Sequence, residues 1–268
     1  LVLPRRVTRR LRIAKNYFWA TWSVWRRLCD LIKPGHARES TLSVFGPLSL
    51  FGLFACWVAI IITGFARLLW LGNTLTPPSN REFRQCLYHS GETFFTLGYG
   101  DVTPVTYVGK FLAVMEAGIG FGFMAVVIGY LPVLYQAFSS RERSISLLDA
   151  RAGSPPTAFE LWRRFGRLVD RHETDRFLAE WEIWSAELLE SHLSFPVLGY
   201  YRSQHDNQSW LAALALVLDA SSMLLIRGAP ESQQRARLTF AMARHASVDM
   251  CLVLKLPPRE PNVERLTD

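Results

Sequence analysis

Two long stretches of this 268-residue chain almost lack charge. Residues 40–66 contain no Asp, Glu, Lys or Arg, and residues 111–140 contain only Glu116. Runs of this length cross the hydrocarbon core of a bilayer, so an ordinary soluble protein is excluded. A third apolar run, Leu211–Ile226, is short for a span and carries Asp219 near its middle. A charge at the bilayer centre is costly, so this run reads as a buried helix of a soluble part. Cysteine is scarce as well. Cys29, Cys56, Cys86 and Cys251 show no close-paired spacing, which excludes a disulfide framework and a zinc motif. The apolar run of a secretory leader is missing at the start. So is any strand-like run with glycine turns, and an all-α chain is expected.

What is present is basic and apolar. Half of the residues are hydrophobic, mean hydropathy is +0.12, and the net charge of +7 is unevenly spread. Arg5, Arg6, Arg9, Arg10, Arg12, Lys15, Arg26, Arg27, Lys33 and Arg38 precede the first apolar run, against only Asp30 and Glu39. Such a flank stays on the cytoplasmic side. Two spans then return the C-terminus there. Anionic headgroups account for arginines that border a span, and a nucleic-acid partner is not expected. Between Tyr17 and Ile32, Tyr17, Phe18, Trp22, Trp25, Leu28, Cys29 and Ile32 recur at helical steps. This predicts an amphipathic helix for the headgroup layer, or one packed on the cytoplasmic part.

Between the two runs lies Thr96-Leu97-Gly98-Tyr99-Gly100-Asp101. Consecutive carbonyls point the same way only if alternate residues take left-handed dihedrals, which glycine accepts. Four such carbonyls facing a pore replace the hydration shell of K⁺. Tyr88, Glu92 and Thr93 come before it, and Thr103-Pro104-Val105-Thr106 after. In that order the stretch resembles the pore helix, filter and outer mouth of the potassium channel family, specifically its small two-helix bacterial members. The resemblance covers about residues 40–140.

It implies a homotetrameric, K⁺-selective pore in the inner (cytoplasmic) membrane, with both termini in the cytoplasm. No catalytic residue is implied, and no cofactor beyond K⁺ as the permeant ion. The K⁺ sites would be carbonyls of Thr96, Leu97, Gly98 and Tyr99, with Gly100 completing the filter and the Tyr99 ring packed on the pore helix. Glu92 and Asp101 would meet behind the filter and share a proton, or stand solvated at the outer mouth. Gly120 occupies the family's hinge position. Pro132, nearer the cytoplasm, also weakens the inner helix. Glu116, one turn before Gly120, either rings the cavity with negative charge or is tucked against the pore helix. Leu97 and Phe95 replace the commoner Val and Thr, which bears on inactivation more than on ion choice. Arginine at every third residue is missing ahead of the pore, so the usual voltage sensor is not expected. Gly118-Ile119-Gly120-Phe121-Gly122 is no dinucleotide fingerprint, since Phe123 stands at the third glycine position and no strand precedes. A nonselective cation channel, or an anchored sensor whose cytoplasmic part does the work, are the other readings.

The expected organisation is a cytoplasmic segment (1–40), a pore domain (41–140) and a cytoplasmic helical domain (141–268). The pore domain holds spans at about 47–71 and 107–138 and a pore helix at 81–95. Within the helical domain Gly153-Ser154-Pro155-Pro156 reads as a linker, followed by a capping box at Thr157 and Glu160. Its helices are expected to about Asp170, from Thr174 to His192, from after Asn207 to near Gly228, and from Pro230 to about Leu254. Trp162, Trp181, Trp184 and Trp210 read as core. Glu180, Glu187, His192, His205 and Asp206 form at most a loose metal set, and solvated charges are the commoner outcome. The domain resembles no module we recognise, and its ligand is unidentified.

Overall fold

The computed structural model describes residues 13–75, 82–168, 171–203, 205, 207–254 and 256–257. The arginines at positions 5–12, Pro77-Pro78, Asp206 and the tail beyond Pro257 lie outside these residues. Among the described residues there are eight α-helices and no strand: α1 (Ile13–Cys29), α2 (His36–Leu71), α3 (Phe83–Phe94), α4 (Tyr107–Ala152), α5 (Ala158–Leu168), α6 (Arg171–Ser194), α7 (Trp210–Arg227) and α8 (Pro230–Leu254). A 3-10 helix, Pro196–Tyr200, lies between α6 and α7. The all-α expectation holds. The two apolar helices are longer than their charge-free runs, and beyond its run α4 carries a buried stripe of Ile145, Leu148 and Ala152. Helix α4 continues through both Gly120 and Pro132.

The chain divides into two compact units. One comprises Ile13–Thr21 and Pro47–Tyr135. Its apolar side chains point outward, with Phe51, Ile60, Leu68, Val108, Phe111, Val114, Phe121 and Ile128 all exposed. That inverts the pattern of a soluble fold and suits lipid or neighbouring helices. Inside it, Ala66, Leu69 and Cys86 cluster with Leu75 and Leu112. The Val105 N–H donates to the Thr74 carbonyl at 2.8 Å, tying the two ends of the outer loop region together.

The other unit comprises Trp22–Gly46 and the chain from Gln136 onward. Here burial is conventional. Leu161 and Phe165 of α5, Phe177, Leu178, Trp181 and Trp184 of α6, and Leu214 and Val217 of α7 surround the end of α4. Ala236, Ala243 and Ala246 line the buried face of α8, and such small side chains let helices approach closely. Helix α7 is apolar enough to cross a membrane by composition, but it packs on α5 and α8 with Asp219 exposed. At the start of α5 half of the capping box forms. The Glu160 N–H donates to Thr157 Oγ1 at 3.2 Å. The Glu160 carboxylate turns instead to Arg163 and Arg164, whose hydrogen bonds hold its pKa down to about 2.

Within this unit the segment 196–202 joins several elements. Tyr200 packs against Trp22 and Phe45, and Arg202 pairs with Glu39. A Cβ on Gly46 would lie 2.7 Å from the Tyr201 ring, so only glycine admits this approach. From α4, the buried Arg141 guanidinium donates to the carbonyls of Leu198 (3.2 Å) and Tyr201 (2.9 Å) and to Glu142 (3.0 Å). It also lies 3.4 Å from His192 Nε2 and sits over the Phe138 ring.

Burial, with the Arg141 charge adding to it, pushes His192 down to about 4. His192 also faces Trp210 on α7 and the Leu188 carbonyl. Between pH about 6.5 and about 4 the unfolded chain takes up a proton that folded His192 refuses, so stability is lost as pH falls through that interval. The loss should total about 3 kcal/mol and be absent above it. Unfolding of the detergent-solubilised chain, followed by tryptophan fluorescence, should show this slope, and His192→Gln should flatten it.

Candidate functional site

Helix α3 is half polar, yet His89, Ser90 and Glu92 on it are buried together with Cys86 and Phe94. Its last carbonyls hold the residues that follow. Phe95 N–H donates to Gly91 O (3.1 Å), Thr96 N–H to Thr93 O (3.0 Å) and Leu97 N–H to Glu92 O (2.8 Å). The backbone then alternates. Thr96, Gly98 and Gly100 have φ of +57°, +60° and +80°, while Leu97 and Tyr99 do not. Left-handed backbone at every second residue turns successive carbonyls toward one side. Thr96 takes that conformation with a Cβ, at a steric cost that the hydrogen bonds on either side of it hold in place. The side chains of Leu97 and Tyr99 are exposed on the single chain.

Each of the two acids expected as filter supports has a partner of its own. Glu92 Oε1 lies 2.9 Å from His89 Nδ1, whereas Asp101 Oδ1 accepts a 3.3 Å hydrogen bond from the Tyr88 hydroxyl. Among the described residues no hydrogen bond joins Glu92 to Asp101. The sequence pointed to the two acids, with Tyr88 noted only as part of the stretch before the loop and His89 given no role. The signal was there, since His89 stands three residues before Glu92, on the same face of the helix.

Of the two placements open for Glu116, the structure has the one against the pore helix. Glu116 is fully buried, with its Oε1 in contact with Ser90 Oγ. Ser90 Oγ in turn donates to the Ile62 carbonyl at 2.8 Å, so three helices converge on this hydroxyl. Gly120 sits at a close approach. A Cβ there would lie 2.1 Å from the Phe94 carbonyl oxygen and 2.9 Å from its carbon. Phe94 itself is buried and packs against Phe123, the next turn's neighbour on α4. The backbone at Gly120 therefore sets the distance between the inner helix and the end of α3. Pro132 lies inside α4 and is exposed.

Among the described residues no group of three or more His, Cys, Asp or Glu is placed to hold a metal, and His192 is engaged by Arg141. Trp181, Trp184 and Trp210 are core, with Trp162 packed against them.

Two apolar helices long enough to cross a membrane flank a short helix and a loop of alternating left-handed backbone, the layout of an all-α membrane protein. Residues 49–136 match a family model described as "Ion channel", and the match indicates an ion-channel segment. Among curated proteins the chain is similar to "Uncharacterized membrane protein YdjJ" of Bacillus subtilis (strain 168), 28% identical over 222 residues, or 81% of this chain and 63% of the relative. It is also similar to "Protein LctB" of Bacillus caldotenax (32% identical) and of Geobacillus stearothermophilus (34% identical), each over 84 residues, 27% of this chain and 62% of the relative. The chain thus spans under two thirds of the length of these relatives. The match to YdjJ is far longer than the ion-channel segment, so it takes in more than the pore. No solved structure matches.

Replacing Gly120 by Ala places a methyl group against backbone that cannot rotate away. G120A should lower ion flux in reconstituted vesicles strongly, whereas Gly118→Ala, where a Cβ meets nothing within 4 Å of the chain, should be milder. Equal flux for the two variants would contradict the close approach.

Proposed function

We propose that four copies of this chain form a K⁺-selective channel in the cytoplasmic membrane, with both termini inside, that conducts the ion passively. The observation that carries this reading is the left-handed backbone at Thr96, Gly98 and Gly100, bracketing Leu97 and Tyr99. One chain supplies one loop, and a ring of carbonyls around an axial ion takes four. The exposed side chains of Leu97 and Tyr99 and the outward apolar faces leave surface for neighbouring copies and for lipid. The resemblance ties loss of selectivity to Asp where Tyr99 stands, so Tyr99 favours K⁺ over a nonselective cation pore. Exposed Trp19, Leu28 and Leu31, with Arg26, Arg27 and Lys33 nearby, suit α1 to anionic headgroups.

Gating is assigned to the inner helix α4, at Gly120 and Pro132, with Glu116 bracing it against α3. The helical domain modulates the gate. Its support is Arg141, on the same helix, whose guanidinium holds the carbonyls of Leu198 and Tyr201.

In liposomes the protein should pass K⁺ and Rb⁺ and largely exclude Na⁺, and it should purify as four chains. Tyr99→Asp should lose selectivity but still assemble. Equal K⁺ and Na⁺ permeability in bi-ionic recordings would sink the reading. Arg141→Gln should change open probability and leave the permeability ratio alone. An unchanged open probability would remove the helical domain from the gate.

A further inference from the structure

We propose that His89 is a positioning residue of the filter, acting through Glu92; the proposal rests on the filter reading above. Burying a polar side chain costs free energy unless a partner meets it. Three polar side chains in the second half of α3 are buried, and Ser90 is met by Ile62 O and Glu116. That leaves His89 and Glu92, 5% and 4% exposed, which meet each other at 2.9 Å. Their remaining atoms, His89 Nε2 and Glu92 Oε2, are buried with no hydrogen-bond partner in the single chain. The imidazole is therefore the hydrogen-bond partner of the Glu92 side chain within this chain.

A carboxylate only accepts hydrogen bonds, so with Glu92 ionised the shared hydrogen sits on His89 Nδ1. Glu92 is also the residue whose main-chain carbonyl accepts the Leu97 N–H, and Leu97 lies between two left-handed residues of the filter. One residue thus has its side chain held by His89 and its main chain holding the filter. Asp101, the acid expected to share this task, is occupied by Tyr88. Without His89 the buried carboxylate loses its donor, and the last turn of α3 must shift to find water or another donor. That shift moves the carbonyl on which Leu97 hangs. The histidine stabilises the filter's backbone without touching the ion.

The test is the K⁺/Na⁺ permeability ratio and the sustained Rb⁺ flux of the full-length protein in liposomes. Wild type, His89→Ala, His89→Asn, Glu92→Gln and the double variant H89A/E92Q are compared. Asn keeps a donor where Nδ1 stands, and Gln removes the charge that needs one. His89→Ala should cut sustained flux or the ratio by roughly tenfold or more, the size of effect expected when a buried group loses its partner. His89→Asn should restore most of it, and Glu92→Gln should suppress the effect of His89→Ala in the double variant. A purely space-filling role for His89 predicts the opposite of this suppression, with the double variant at least as impaired as His89→Ala. If His89→Ala fails to assemble, His89→Asn and H89A/E92Q must still assemble and select K⁺, and failure of either overturns the proposal. A selective wild type with an unimpaired His89→Ala overturns only the role of His89. A wild type that does not distinguish K⁺ from Na⁺ overturns the filter reading and this proposal together.

Discussion

A carbonyl turned toward an ion is a carbonyl withdrawn from its own helix or sheet, and a run of such carbonyls cannot hold itself. Residues 96–100 make no regular ladder, and alternate members sit in the left-handed region, where a Cβ is disfavoured. Their conformation is borrowed from α3. The carbonyls of Gly91, Glu92 and Thr93 grip Phe95, Leu97 and Thr96. Helix α3 has to be fixed before this loop can be. Its fixing explains the polar residues buried on it, the contact of Ser90 with both spanning helices, and the glycine opposite Phe94.

The same constraint accounts for the two ways this chain buries its surface. Around α3 the spanning helices keep only a small fraction of their apolar side chains inside, and satisfy their backbone within the helix. Beside a small apolar cluster, the side chains buried there include the polar His89, Ser90, Glu92 and Glu116. In the other unit the hydrophobic core is large and continuous, and the buried Arg141 and Glu142 lie where the segment 196–202 meets α4. Hydrophobic burial drives folding in water but hardly distinguishes inside from outside in lipid, so the unit around α3 relies on hydrogen bonds and close backbone approach instead.

Helix α4 belongs to both regimes. Its first part carries Glu116 and Gly120 against α3, and its last turns put Ile145, Leu148 and Ala152 into the soluble core. A break at Pro132 would uncouple these tasks, yet the helix is continuous there. Arg141 is buried where the apolar run ends. Its burial lowers its pKa, and Glu142 opposes that. Two backbone carbonyls, a carboxylate and an imidazole surround it. A guanidinium suits that position because its several donors lie in one plane and reach several acceptors at once.

The sequence by itself determined the class of the fold and the place of the loop with alternating left-handed backbone. Charge-free runs mark the apolar helices because lipid excludes charge over a fixed thickness. The glycines of residues 96–100 mark that loop because left-handed backbone is a local property of the residue. Capping and proline signals placed α5 to α8 within a few residues for the same local reason. Only the tertiary structure decided the pairings. The spacing of Glu92 and Asp101 suggested that they meet, but His89 and Tyr88 lie in reach and take one each. Glu116 lies 26 positions from Ser90, and Arg141 57 and 60 from the carbonyls of Leu198 and Tyr201. Gly120 could be read as a hinge from sequence, whereas its use as a point of contact appears only once Phe94 is seen against it. A side chain's partner is set by which backbones approach, and that approach is a property of the packed helices rather than of any local stretch of sequence.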